Sequence, residues 1–184
     1  MDLPWGDERS SSFVTNVGLI TSQGPFGHNV MAAEWTHHIS YSPGLIAVCI
    51  NPSDATAANI KETKEFGISL AAADQSVMSS VAGGNTGKEV DKIKALEELG
   101  FKFCKAKKIK ALMIEGAIMS AECKVLKMIE LGDHIMFVGE VVESTANTDE
   151  QPIVYHKGKY WKLGKHIEKP SEKELGRIKE TVSR

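Results

Sequence analysis

At 184 residues, 42% hydrophobic and 25% charged, the chain is long enough for one continuous core and has the balance of a globular domain, which excludes disordered and fibrous classes. Its formal net charge of -2 creates no field that would gather nucleic acid or an anionic membrane. The acidic opening Met1–Glu8 lacks an apolar signal core, and no run nears the roughly 20 apolar residues of a membrane span, so a cytoplasmic protein is expected.

Phe13 to Thr21 is rich in β-branched residues and reads as a strand, stopped by the turn cluster Ser22-Gln23-Gly24-Pro25-Phe26-Gly27. Val30 to Trp35 resumes as its hairpin partner, and Ile39-Ser40-Tyr41 is a short strand before Ser42-Pro43-Gly44. Leu45 to Ile50 is a continuous apolar run of strand length, which predicts burial on both faces. Asn51-Pro52-Ser53-Asp54 closes it and opens a helix over 55–65, with Ser53 or Asp54 as N-cap.

Phe66 to Leu70 returns to strand, Gln75 to Val81 reads as a short helix, and Gly83 to Gly87 as a flexible loop. Asp91 to Leu99 predicts a helix with Ile93, Leu96 and Leu99 near one face and Gly100 as its stop. The basic run Lys102, Lys105, Lys107, Lys108 and Lys110 lacks interleaved aromatics for stacking on bases and reads as a solvated connector.

Leu112 to Ile129 is strand-rich, with Gly116 as a bend and clear alternation from Ala121 onward. Leu131-Gly132-Asp133 makes a turn into a strand from His134 to Val142. Ile153–His156 and Tyr160–Leu163 flank a tight turn, and Ser171 with Glu174 forms a capping box before an amphipathic terminal helix. About eight strands with few helices predict a mainly β, antiparallel barrel with helical insertions. The expected layout is an N-terminal extension over 1–12, a barrel over 13–168 and a C-terminal helix over 169–184.

Candidate chemistry is sparse. Cys49, Cys104 and Cys123 lack metal or disulfide spacing, and Cys49 and Cys123 read as core thiols. His37 and His38 alternate across a strand and so cannot share one metal. No GxGxxG or Walker sequence occurs. Asn51, Ser53 and Thr56 place hydroxyls and amides at a helix start, which suits a phosphate or is simply an ordinary capped helix. His134, after a tight turn, is either a proton-transfer residue or a structural one.

Several segments in order resemble the flavin reductase-like family. Asn29-Val30-Met31-Ala32-Ala33-Glu34-Trp35 is similar to that family's N-x-x-x-x-S-W strand, and Ser40 to Ile50 to its S-x-x-P-P-L segment. Thr56 to Ile60 with Phe66 to Ser69 resembles T-x-x-N-I followed by F-x-v-n, with Asn59 at the Asn position. Asp91-Lys92, Glu115-Gly116, Gly132-Asp133-His134 and Pro152 to His156 complete the order. Departures are Glu34 where relatives commonly have Ser, Pro52 and Asp54 in the phosphate loop, and Pro43-Gly44 for Pro-Pro.

The resemblance implies an FMN-binding split β-barrel of Greek-key-like, antiparallel design. It implies a homodimer whose flavin lies near the subunit interface, and an NAD(P)H-driven oxidoreductase or an FMN electron carrier. By the same resemblance, Asn29, Val30, Met31, Ala32 and Trp35 line the isoalloxazine, with Ser40 near that ring. Asn51, Ser53 and Thr56 hold the phosphate, and Asn59 and Lys92 bind the cofactor. Lys92 and the Lys88 loop add positive charge or close over it, and His134 is the catalytic residue near the ring face where nicotinamide docks. The partners it implies are a nucleotide donor or a redox protein, with no metal, nucleic acid or membrane.

Overall fold

The computed structural model describes residues 1–182. The chain opens with a short helix, α1 (Glu8–Ser11), capped by Asp7, whose carboxylate accepts from the Arg9 amide. β1 (Thr15–Asn16), β2 (Gly18–Gly24), β3 (Gly27–Ala33), β4 (Thr36–Tyr41) and β5 (Gly44–Ile50) follow. Next come α2 (Ala55–Thr63), β6 (Glu65–Leu70), α3 (Ser76–Gly84) and α4 (Lys92–Glu98). β7 (Phe103–Lys105), β8 (Leu112–Ile114), β9 (Met119–Leu131), β10 (His134–Ala146), β11 (Ile153–His156), β12 (Lys159–Lys162) and α5 (Glu172–Val182) complete it.

Seven strands form one sheet in the order β3-β2-β6-β9-β10-β5-β4, and every pairing in it is antiparallel. β3 and β4 are the two edges, yet only Glu34 and Trp35 connect them. A flat seven-stranded sheet would hold its edges roughly 29 Å apart, at about 4.8 Å per spacing. Three peptide steps reach only about 11 Å. The sheet must therefore coil until its edges meet, which makes a barrel split between β3 and β4.

Two cores sit on either side of the β2–β3 hairpin. Inside the barrel, Ile20, Val48, Ile50, Phe66, Ile68, Cys123 and Phe137 pack with Ala57 and Ile60 of α2. Gly139 lets β10 pass closely there, since a Cβ would lie 2.7 Å from the Phe66 ring and from Cys123. Outside it, Leu19 and Val30 pack against Met78 and Ala82 of α3, Ile93 and Leu96 of α4, and Ile153 of β11. Neighbouring residues of one strand thus feed different cores, as the two-residue period requires.

The structure revises several expectations from the sequence. The strand expected over Phe13 to Thr21 breaks at Val17, because Thr15 and Asn16 pair with Tyr155 and Val154 in a separate sheet, whereas Gly18 pairs with Ala33. Gly83 and Gly84 belong to α3 instead of a loop; Gly83 packs so near Ala32 that an added Cβ would lie 3.3 Å from it. Leu99 follows α4 and is exposed, while Ile93 and Leu96, with the Lys92 side chain, carry its buried face.

Cys123 is buried and its thiol is pushed up to about 12, by burial first and by the Glu122 charge second. Cys49, by contrast, is only half-buried. It pairs with Met136 on the face of β5 opposite Val48, which faces the core with Phe137. The rings of His37 and His38 lie 4.7 Å apart, with His37 Nδ1 2.8 Å from His38 O, although the two residues pair in regular succession with Ala47 and Ile46. The five lysines of the basic run are exposed, as expected, and their backbone is pinned from below. The amides of Lys107, Lys108 and Ile109 donate to the Glu122 carboxylate, and that of Lys110 to Glu65.

Candidate functional site

The site begins with an unpaired edge. β3 bonds to β2 on one side and has no strand on the other, so alternate backbone groups of Gly27–Ala33 face outward. Two cavities flank this edge. One, of about 510 Å³, adjoins its C-terminal end and is bordered by Ala32, Glu34, Gly83, Tyr155, Tyr160 and Trp5. The other, of about 440 Å³, adjoins its N-terminal end and is bordered by Phe26, His28, Gly87, Lys88 and Lys94. Lys88 holds its ammonium 5.6 Å from the centre of the Phe26 ring.

Between the cavities, Asn29 is buried and its amide donates to the Thr56 hydroxyl at 2.8 Å. That bond ties the edge strand to the first turn of α2. Gly87 completes the junction, because a Cβ there would overlap the Asn29 amide. Asn51 accepts from both the amide and the hydroxyl of Ser53, at 2.9 and 2.7 Å, folding the loop before α2 into a tight turn. Asp54 stands at the N-cap but makes no side-chain capping bond, so the first amides of α2 stay open to another acceptor.

Two of the expected site residues have their polar groups engaged within the protein. Asn59 is fully buried; its carbonyl accepts from the Phe26 amide at 3.0 Å, and its amide donates to Gly27 O and Ser22 Oγ. It holds the β2–β3 turn against α2, which is why Gly24 must lack a side chain: a Cβ would lie 2.8 Å from the Asn59 Cα. Lys92 is only 2% exposed and donates to the carbonyls of Ala82 and Asn85, closing the C-terminal end of α3. Burial pulls its ammonium down to about 8, partly opposed by the charge of Asp54. Both residues shape the walls.

The remaining candidates spread around the split. Trp35 and His134 meet with ring centroids 4.5 Å apart, although 99 positions separate them in the chain. His134 Nδ1 faces Asp133 Oδ1 at 2.7 Å, which holds the Asp133 carboxyl below its ordinary value. When Nδ1 carries the proton for that bond, Nε2 is left as the ring's free acceptor. Val30 points into the outer core, Met31 packs against the barrel core, and Ala32 borders the larger cavity. Ser40 lies half-buried on β4, opposite Leu45, and borders neither cavity.

Sequence reasoning did not single out Trp5, Tyr155, Tyr160 or Phe26 as site residues. The tyrosines sit in the hairpin β11–β12, with ring centroids 5.4 Å apart. The sequence signals for them were two aromatics flanking a tight turn and a place in the ordered family segments. Glu34 is pushed up by burial, an effect partly offset by a hydrogen bond from Trp5. Among the described residues no group of three His, Cys, Asp or Glu side chains could hold a metal ion, and no helix is long and apolar enough to cross a membrane.

These features define a mainly β split barrel of the class whose solved members are flavin reductases and flavoredoxin. The flavin reductase like domain matches residues 10–164, and the chain belongs to that family. It is 34% identical over 132 residues to an Archaeoglobus fulgidus protein, covering 70% of this chain and 73% of that one. It is 24% identical over 149 residues to the FMN reductase (NADH) RutF of Serratia proteamaculans, covering 80% of each. Its fold is similar to that of flavoredoxin from Methanosarcina acetivorans, with a TM-score of 0.78 at 19% identity, over 94% of this chain and 96% of that one.

Proposed function

We propose that the chain is a cytoplasmic, NAD(P)H-dependent flavin reductase that carries FMN along the free edge of β3. The observation that carries this reading is the meeting at Asn29 of an unpaired strand edge and the open amide start of α2, on a strand with a cavity beside each end. A flavin mononucleotide asks for these parts: a flat slot for a ring, donors at the ring's polar edge and an anion site for its phosphate. Asn51, Ser53, Thr56 and the amides of α2 take the phosphate, with Asn29 holding Thr56 in place.

The backbone of Asn29 to Ala32 meets the ring edge, Trp35 and Ser40 border the ring, and Asn59 and Lys92 keep the walls in register. FMN, when bound, supplies hydride acceptance from the nicotinamide and later release of electrons to flavin, ferric iron or a redox protein. His134, braced by Asp133 and tilted against the Trp35 ring, positions the incoming nicotinamide. A second copy of the chain covers the outer sheet face. There Met136 and Val138 pair with Cys49 and Ala47, beside exposed Ile129, Leu131 and Trp35.

The test is the absorption spectrum of the purified protein followed by rapid mixing with NADH and NADPH. A yellow protein bleached within the turnover time bears the reductase out. Likeness to a flavoredoxin fold favours a second reading, an electron carrier holding FMN without direct NAD(P)H turnover. Retained colour after mixing with both nucleotides would select it. A colourless protein that takes up no added FMN would overturn both.

A further inference from the structure

One aromatic of the larger cavity, Trp5, lies outside the family match, whereas Tyr155 and Tyr160 lie within it. The match begins at residue 10, and Trp5 borders the cavity from the N-terminal segment. That segment is folded on itself: Arg9 pairs with Asp7 at 2.8 Å, and the Ser10 hydroxyl donates to Pro4 O at 2.7 Å. Trp5 is nevertheless 84% exposed, a large apolar surface held at a cavity mouth and left uncovered. The same cavity is lined by the small residues Ala32, Gly83 and Gly84, which leave room beside them for a flat ring.

The cavity holds one ionisable acceptor. Glu34 borders it, and burial raises the pKa of its carboxyl. Asn16 also borders it, but its amide nitrogen donates to Thr36 O at 2.6 Å and its oxygen is buried out of a ligand's reach. Glu34 is also where this chain departs from the Ser expected in its relatives, and Trp5, on the same cavity, lies outside the matched region.

We propose that Trp5 is a ligand-stacking residue supplied by the N-terminal segment. With Glu34 it selects a planar heterocycle carrying an N–H donor, the imide edge of a flavin or the carboxamide of a nicotinamide. This rests on the flavin reading above and adds a specificity determinant to its site. Trp5 covers a face of the ring, and the donor meets Glu34.

The experiment titrates FMN and NADH separately into the full chain, Trp5→Ala, Trp5→Phe and Glu34→Ser, following tryptophan fluorescence and flavin absorbance. Trp5→Ala is expected to weaken one of the two ligands about tenfold. Trp5→Phe keeps affinity within about threefold while losing the share of the fluorescence quenching that Trp5 contributes beside Trp35, and Glu34→Ser weakens the same ligand as Trp5→Ala. The titration that moves identifies the ring. Both affinities unchanged in Trp5→Ala overturn the proposal, as does a change in oligomeric state at constant affinity, which would assign Trp5 to a protein contact. A wild-type chain that binds neither ligand overturns the flavin reading together with this one. Trp5 lies outside both large cores, so unchanged thermal unfolding serves as the folding control.

Discussion

The two ends of β3 handle polar groups in opposite ways. Around Asn29 the buried polar side chains have protein partners: Asn29 with Thr56, Asn59 with three groups of the β2–β3 hairpin, Lys92 with the carbonyls of Ala82 in α3 and of Asn85 just after it. Around Glu34 fewer are engaged: the buried Asn16 oxygen has no partner among the described residues, and Trp5 lies mostly in solvent. The first end is pre-organised, which the proposed phosphate site would need if binding is not to pay for ordering it. The second end leaves the Glu34 carboxyl for whatever enters the cavity.

The sharpest way to break this contrast is Asn59→Ala. It removes three hydrogen bonds and leaves the Phe26 amide, Gly27 O and Ser22 Oγ without that partner, so a loss of about 3–4 kcal/mol is expected in urea unfolding. A loss below about 1 kcal/mol would show that the hairpin is held elsewhere. His134→Ala comes next. Reduction by NAD(P)H should slow about tenfold to hundredfold with FMN affinity nearly unchanged, and an unaltered rate in rapid mixing removes His134 from the reaction.

Lys92 gives a test through pH. Its ammonium falls from 10.5 to about 8 on folding, so between those values the unfolded chain binds more protons and stability rises with pH. That stability is fully present above 10.5 and is lost as pH falls through about 8. Relative to Lys92→Met, the wild type should gain about 2–3 kcal/mol from pH 8 to 10.5. Parallel pH profiles would contradict the buried ammonium. The smallest effect is expected from Thr56→Val with Ser53→Ala. FMN binding should weaken by about 1–2 kcal/mol, read by equilibrium titration, and no change would place the phosphate elsewhere.

Much of the barrel was legible because strand signals are local. The apolar run Leu45 to Ile50, the alternation after Ala121 and the hairpin around Gly158 all became strands near their expected limits. The capping box formed too, with the Ser171 amide and hydroxyl both donating to Glu174, at 2.8 and 2.7 Å. The site was legible only as a set of positions. Nothing local distinguishes Asn59 or Lys92 as wall-holders from residues that touch a ligand, because the difference lies in which distant carbonyls they meet.

The sequence by itself determined the strand content, the helix starts and the order of family motifs, since these depend on side-chain period, capping chemistry and short spacings. The tertiary structure alone decided that Trp35 meets His134, that Cys49 faces out of the barrel and that Trp5 reaches the cavity beside Glu34. Those outcomes follow from coiling the sheet until its edge strands meet. That closure is a property of seven strands paired at long range, which no window along the chain contains.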